Sequence, residues 1–108
     1  MRFALEKTMD RELLELAAKA AGKKWREDFA CYLADDGGKW NPLNNDSDAL
    51  RLAVKCGIII EYRREVHTCF AYQYALNLEV MQSNDQLDPY AATRRAIVRA
   101  AAEIGRAM

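Results

Sequence analysis

The sequence predicts a small α/β domain of the α+β type: a three- to four-stranded, mostly antiparallel sheet with helices packed on it. Apolar residues recur every three or four positions in three segments, which is the spacing of amphipathic helices. They alternate in other segments, as in strands, and glycines or an Asp-Pro pair stand at segment ends. The expected order is helix, strand, helix, two or three strands, helix. A layered α+β domain buries all of these apolar stripes.

The composition is that of one domain spanning residues 1–108. A chain of 108 residues is long enough for a single core and too short for two. Its 16 basic and 16 acidic residues cancel, so no overall field draws it toward nucleic acid or an anionic membrane. Its apolar runs are at most six residues long, whereas a membrane span needs about 20. We therefore expect neither nucleic acid nor a membrane as partner.

The cysteines point to a reducing compartment. Cys31, Cys56 and Cys69 are odd in number and lack a Cys-x-x-Cys spacing, which argues against a disulfide framework and against a zinc site. The first seven residues hold too short an apolar stretch for a signal peptide. We expect free thiols and a cytoplasmic location.

The first half of the chain predicts a helix followed by a strand. The helix is expected over Asp10–Ala21, with Gly22 as its left-handed stop. Residues Met1–Met9 either extend this helix or form a loose arm. Trp25–Ala34 is expected to be one strand with apolar groups on both faces. The turn Asp35–Gly38 ends it, because its two glycines accept a positive φ.

The middle of the chain predicts a helix and a hairpin. Several capping residues precede a second helix over Asp46–Cys56, and a glycine follows it. Gly57–Arg63 contains three consecutive isoleucines and predicts a central strand. Arg64-Glu65 is the expected turn and Val66–Tyr74 the antiparallel return. Leu78–Gln82 adds a fourth strand or finishes a bent third one.

The last helix is expected from Asp88-Pro89, with Asp as N-cap and Pro at the first helical position, to about Ile104. At about 100° per residue, apolar residues fall on one side and arginines nearly opposite. The expected apolar side is Tyr90, Thr93, Ile97, Ala101, Ile104 and Met108. The expected arginine side is Arg95, Arg99 and Arg106.

Two segments resemble small phage proteins of the NinX-like family and of the broader phage ABA-sandwich domain. The first is Gly37–Pro42, with its Trp-Asn-Pro corner, followed by Asp48-Ala49 at the start of a helix. The second is the closing helix that opens Asp88-Pro89-Tyr90. The resemblance covers Asp10–Met108 in element order. It implies an ABA-sandwich-like domain of a phage or prophage protein that works in the cytoplasm of the bacterial host.

The resemblance is compatible with two functions. The first is a non-enzymatic accessory protein that binds a host or phage protein, with its biochemical role undetermined. The alternative is an anti-defence sponge, since one branch of similar architecture sequesters cyclic ADP-ribose signals and can hold cyclic oligonucleotides. A cyclic nucleotide would then be the ligand. Leu50 stands where that branch has an aromatic residue.

The segment Trp40–Asp48 is a candidate binding loop. Trp40 is a candidate contact residue of this loop. Exposed main-chain N–H groups at a helix N-terminus favour an anion, and the donors and acceptors beside them are Asn44, Asn45, Asp46 and Ser47. The same residue types also cap helices, while Trp40 and Pro42 anchor the corner, and capping alone accounts for the polar residues. The acids Asp46 and Asp48 disfavour a second anion there, so we favour the structural interpretation.

The arginines of the last helix are a second candidate. Arg94, Arg95, Arg99 and, further along, Arg106 could bind phosphates, nucleic acid or an acidic partner surface through their guanidinium forks. A stripe opposite the apolar face is more often the solvated side of an amphipathic helix. We favour that second interpretation and keep the first as the alternative.

Aromatic residues form a third candidate. Phe70, Tyr72 and Tyr74 alternate along one expected strand and so share a face. They could stack the bases of single-stranded nucleic acid, but a covered sheet face or a homo-oligomer interface suits alternating aromatics better. His67 and Cys69 would share the opposite face, yet two ligands are too few for a metal and no orienting group marks a catalytic pair. We predict no catalytic residue, metal site or cofactor.

Overall fold

Three helices and two antiparallel sheets make up the computed structural model, which describes the backbone of residues 2–84 and 88–108 and the side chains of 9–84 and 88–108. The helices are α1 (Arg2–Ala21), α2 (Asp46–Cys56) and α3 (Pro89–Arg106). The strands are β1 (Trp25–Arg26), β2 (Cys31–Tyr32), β3 (Ile59–Arg63), β4 (Thr68–Gln73) and β5 (Leu78–Ser83). β1 pairs with β2, and the second sheet has the order β3-β4-β5. The predicted single α+β domain is confirmed.

Helix α1 begins at Arg2 rather than at Asp10, so helical backbone runs through residues 2–9. Met1 lies outside the described residues. At the other end, Gly22 has a φ of 70°, as its predicted role as a left-handed stop requires. The helix therefore ends where the sequence indicates and begins earlier.

The prediction of one continuous strand over Trp25–Ala34 is wrong. β1 and β2 are instead two short strands that pair antiparallel. The chain turns between them, with Ala30 at a φ of 51° and the Arg26 guanidinium 3.0 Å from the Asp28 carboxylate. Phe29 is 56% exposed at this turn. The charged residues between β1 and β2 prefer a solvated turn to a sheet covered on both sides.

The elements on either side of the Trp-Asn-Pro corner form as predicted. Before the corner, Gly37 takes a φ of 87° within the Asp35–Gly38 turn. After it, α2 has the predicted bounds and Gly57 follows with a φ of 67°. Both glycines occupy the left-handed region, which an L side chain enters only at a cost. The Trp-Asn-Pro corner therefore lies between a turn and a helix whose ends are both set by nearby residues.

The larger sheet has β4 as its central strand and β3 at one edge. The prediction that Gly57–Arg63 is the central strand is therefore wrong. β-branched residues favour a strand but do not say whether it has one neighbour or two, and Ile59 is 47% exposed. The predicted antiparallel return is confirmed as β4. The fourth strand is confirmed as β5, which reaches Ser83.

Two similar turns join these strands. Short 3₁₀ segments, Arg64–Val66 and Tyr74–Leu76, lead into His67 and Asn77 respectively. Both of these last residues are left-handed, with φ of 48° and 51°. Asparagine tolerates this region better than most residues, whereas histidine occupies it less often. The first turn thus places a histidine in a costly backbone conformation beside the sheet edge.

The two faces of the β3-β4-β5 sheet differ in their surroundings. One face packs on α3 and contributes the buried residues Cys69, Ala71 and Val80 to the core. The other face, here called the outer face, carries Phe70 and Tyr72, as the alternation predicts. Because residues paired across antiparallel strands share a face, this division extends to all three strands.

Helix α3 is the element around which the others pack. It contacts α1, α2 and the larger sheet, so its buried arc is wider than the predicted stripe. Tyr90 and Met108 were expected on the apolar side but are exposed, since both lie near helix ends beyond these neighbours. The buried residues are Ala92, Ala96, Ile97, Val98, Ala100, Ala101, Ala102 and Gly105. Over the described residues, no helix has both the length and the apolar character needed to cross a membrane.

Helices α1 and α3 run in the same direction and cross at Gly105. A Cβ at this position would overlap the main-chain oxygen of Leu16 and lie 2.8 Å from its carbonyl carbon. Buried alanines continue the contact along α1, with Ala17 and Ala21 almost fully inaccessible. Interiors of this density do not yield readily to an added methyl group. Gly105 is therefore required for space.

Gly105→Ala should lower the free energy of unfolding by about 3 kcal/mol, because the added methyl group forces the two helix backbones apart. An alanine in a helix ordinarily stabilises it by about 1 kcal/mol over glycine, so the sign is diagnostic. Urea denaturation measures it, with Arg106→Ala on the exposed side as the control. A stabilised Gly105→Ala variant would contradict the close crossing.

Candidate functional site

A broad groove lies between α2, β3 and α3, and we call it the α2–β3 groove. It encloses about 990 Å³, at the upper end of the range typical of ligand sites. Three pieces of chain build it: the first turns of α2 and α3, and β3 with the turn that follows. The lining residues are Asp46, Ala49, Leu50, Ile60, Tyr62, Arg64, Glu65, His67, Pro89, Tyr90, Thr93, Arg94 and Ile97.

The walls of the groove are mainly apolar and aromatic. Leu50 projects from the first turns of α2 and is 61% exposed. Ile60 and Tyr62 alternate along β3 and reach the groove from the core face of the sheet. Tyr90 and Ile97 line it from α3. Apolar surface exposed in a concave site of this kind typically marks a binding surface.

Charged groups of both signs stand at the rim. Arg94 donates from Nη1 to the Asp46 carboxylate at 2.7 Å and from Nε to the Leu43 carbonyl at 2.9 Å. These bonds tie α3 to the start of α2. Arg64 and Glu65 lie exposed on the turn after β3. The rim therefore balances positive and negative charge rather than presenting a cationic surface.

The candidate residue Trp40 lies in the core. It is buried, and its ring meets Tyr32 edge-on at 5.9 Å between centroids. Tyr32 in turn meets Trp25 edge-on at 5.2 Å. Pro42 is also fully buried. The corner thus holds the β1-β2 hairpin to the rest of the domain through aromatic packing.

The polar residues of the same segment bond to the main chain. The Asn45 side chain accepts from the Asp48 N–H at 2.9 Å, which makes Asn45 the N-cap of α2. The buried Asp48 carboxylate accepts from the Asn41 N–H at 2.9 Å, and the Asn41 side chain accepts from Leu43 N–H. Asn44 is exposed. These contacts agree with the favoured interpretation of the segment as a cap and corner.

The three candidate arginines of α3 point to three different places. Arg94 lines the α2–β3 groove. Arg95 donates to the Asp10 carboxylate of α1 at 2.6 Å. Arg99 donates to the Met81 carbonyl of β5 at 2.7 Å and to the Gln82 side chain at 2.9 Å. They are partly buried links between elements, so the expected solvated stripe is wrong for these three residues.

The candidate aromatics do come together, away from the groove. The rings of Phe70 and Tyr72 stack on the outer face at 6.4 Å with 10° between planes. Tyr74 follows at 6.0 Å from Tyr72 and is tilted by 39°. The Arg63 guanidinium lies over the Phe70 ring at 5.0 Å. The row is a partly exposed aromatic surface framed by charge.

Glu61 on the outer face belongs to a small hydrogen-bonded group. It accepts from Arg63 at 2.8 Å and from the Tyr72 hydroxyl at 3.2 Å. The Arg63 hydrogen bond lowers the pKa of Glu61, and the Tyr72 bond adds to this. Burial, and then the neighbouring Glu61 carboxylate, raises the pKa of Tyr72. The group fixes one negative and one positive charge along β3.

His67 and Cys69 do not share a site. His67 is exposed in the turn before β4, whereas Cys69 is fully buried under the sheet. Burial raises the pKa of the Cys69 thiol, so the thiolate needed for nucleophilic attack is disfavoured. Among the described residues, no three His, Cys, Asp or Glu side chains are close enough to hold a metal ion.

Most of the groove was missed from the sequence. The helical spacing correctly places Tyr90, Thr93 and Ile97 on one side of the last helix, but it does not show that this side lines a groove. Leu50 was noted only for replacing an aromatic residue. The signal that could have found Leu50 is an apolar side chain in the first turns of a helix whose start is marked by capping residues.

Asn45→Ala should destabilise the fold by about 1 kcal/mol, because α2 loses its N-cap hydrogen bond. Asn44→Ala should change stability by less than about 0.5 kcal/mol, since surface substitutions away from special contacts do little. Thermal or urea denaturation of the two variants gives the comparison. Equal losses at both positions would contradict the cap assignment.

Arg63→Gln should raise the pKa of Glu61 toward its ordinary range, because the main cause of its depression is removed. The Glu61 contribution to stability exists above the ordinary pKa and disappears as pH falls through the lower folded-state value. NMR titration of the side-chain carboxyl measures this, with Arg64→Gln as the neighbouring control. An unchanged Glu61 pKa in Arg63→Gln would refute the pairing.

Comparisons with family models, with curated proteins and with solved structures find no match to this chain.

Proposed function

We propose that this chain is a phage- or prophage-encoded accessory protein that binds a host or phage protein in the bacterial cytoplasm. The observation that carries the proposal is the α2–β3 groove, whose walls are apolar and whose rim is polar. The resemblance of Gly37–Pro42 and of the closing helix supports the phage origin.

The walls of the groove favour a polypeptide as ligand. Leu50 and Tyr90 are 61% and 72% exposed, and burying apolar surface stabilises by about 25 cal/mol per Å². Protein interfaces have an apolar centre enriched in aromatic residues and a polar rim. Tyr62, Tyr90 and Leu50 supply such a centre, and Arg64 and Glu65 supply such a rim.

A cyclic nucleotide sponge is the second candidate. Two tyrosines, Tyr62 and Tyr90, line the same groove as Arg64 and His67, so base stacking and phosphate contact are available together. Against this, Arg94 is already bonded to Asp46, which leaves the rim without a cluster of unpaired cations. The charge balance favours a protein ligand over a polyanion.

The outer face carries a separate expectation. Phe70, Tyr72 and Tyr74 form a partly exposed aromatic row, and a homo-oligomer through this row stays a prediction. The row lies on the outer face and does not line the groove.

Leu50→Asp should abolish capture of the partner from host or phage-infected cells, because a carboxylate would be desolvated at the centre of the interface. Val54→Asp is the matched control: Val54 lies one turn further along α2, is 75% exposed and lies outside the groove. Quantitative affinity capture compares wild type and both variants. A partner lost equally from both variants, or retained by both, would argue against the groove.

Thermal shift with a panel of cyclic nucleotides separates the two candidates. A ligand bound only by the native state adds about 2.7 kcal/mol of stability at a concentration of 100 Kd. A protein-binding module should show no shift across the panel. A shift that Leu50→Asp removes and Val54→Asp keeps would favour the sponge.

A further inference from the structure

The two edges of the β3-β4-β5 sheet are treated differently. Edge strands expose unpaired main-chain groups, which proteins commonly cover or block. At the β5 edge, Arg99 of α3 donates to the Met81 carbonyl at 2.7 Å and so occupies it. At the β3 edge, no main-chain hydrogen bond from a described residue outside the sheet reaches Ile60 or Tyr62. One edge is blocked and the other is open.

The pairing of the strands shows which β3 groups face outward. Asn84 N–H donates to the His67 carbonyl at 3.1 Å, which makes these two a hydrogen-bonded pair across β4 and β5. Because such pairs alternate along antiparallel strands, Cys69 and Ala71 bond to β5, and Phe70 bonds toward β3. Met81 lies opposite Phe70, and its carbonyl accepts from Arg99 of α3 rather than from β4, as this alternation requires.

The same alternation continues onto β3. Glu61 pairs with Phe70 and Arg63 with Thr68, so Glu61 and Arg63 bond to β4. Ile60 and Tyr62 therefore direct their N–H and C=O groups away from the sheet. Their side chains line the α2–β3 groove. The open edge and the groove are one continuous surface.

We propose that this surface binds an extended segment of the partner protein as an added antiparallel strand beside β3. The proposal rests on the proposed protein-binding function and specifies how the partner is held. Residues of the added strand opposite Ile60 and Tyr62 share the groove face and contact Leu50 and Ile97 of the lining. The main-chain hydrogen bonds between β3 and the added strand supply affinity, and the side-chain contacts in the groove supply selectivity, as in other strand-addition complexes.

Charge on the outer face defines the partner further. Glu61 and Arg63 bond to each other but keep 46% and 48% of their side chains exposed, so charges on an added strand can still reach them. We expect Lys or Arg opposite Glu61 and Asp or Glu opposite Arg63, because opposite charges paired across strands stabilise. Read from its N-terminus, the antiparallel segment is thus acidic, apolar, basic, apolar. An added strand of this pattern complements both the charges and the groove.

A second copy of this chain fits less well. Antiparallel pairing of two β3 strands that uses both Ile60 and Tyr62 puts Ile60 opposite Tyr62 of the other copy. That register places Glu61 directly opposite Glu61, and like charges in this position destabilise. The occupant we infer is therefore a segment of a different protein.

A fluorescent peptide with the central sequence Glu-Leu-Lys-Leu tests the proposal. Fluorescence anisotropy should show saturable binding, and the amide resonances of Ile60 and Tyr62 should shift on titration. N-methylation of both leucines removes the ladder donors and should weaken binding about tenfold or more. The charge-reversed peptide Lys-Leu-Glu-Leu should also bind more weakly.

The charge-exchanged variant E61R/R63E is the matched control for this test. It keeps opposite charges at the two positions and should prefer Lys-Leu-Glu-Leu over Glu-Leu-Lys-Leu, which reverses the wild-type order. Absence of saturable binding at millimolar peptide would overturn the strand proposal, as would binding insensitive to N-methylation or to charge exchange. If Leu50→Asp still abolishes partner capture in that case, protein binding through the groove stands and only the strand mode fails.

Discussion

The close crossing of α1 and α3 at Gly105 is the constraint on which the rest of the domain depends. With no room for a Cβ against the Leu16 main chain, the two helices are held at one separation and one rotation. Arg95 fixes the same pair near its other end through Asp10. Because α3 also packs on the sheet and on α2, its position determines where β3, the start of α2 and the first turn of α3 stand around the groove. A shift at the crossing would therefore reach the groove.

Several polar residues of the domain join elements to one another. Arg94 ties α3 to α2, Arg99 ties it to β5, and Asp48 holds the corner that leads into α2. The elements that carry the apolar walls of the groove are therefore held in place by these hydrogen bonds. A preformed apolar surface requires little ordering when a ligand binds, which suits a binding function.

The sequence predicted what local chemistry decides. The cap at Asn45 and the glycine at Gly57 set both ends of α2, and Asp88-Pro89 set the start of α3. It did not predict features that depend on distant segments. Three isoleucines favour a strand wherever it lies, so β3 was placed at the centre instead of the edge. Glycine near a helix end is expected only to weaken the helix, and the reason for Gly105 becomes clear only when Leu16 packs against it. The sequence predicts solvated arginines on α3 because it does not show their partners on α1, α2 and β5. The groove is formed by three segments that are distant in the sequence, so no local pattern marks it.

Amide hydrogen exchange of the free protein tests the central claim, that the β3 edge beside the groove is open, most directly. Ile60 and Tyr62 should exchange rapidly because their N–H groups face away from β4, while the neighbouring Glu61 and Arg63 exchange slowly. Slow exchange at Ile60 and Tyr62, matching that of Glu61 and Arg63, would mean that the edge is covered and would contradict the account.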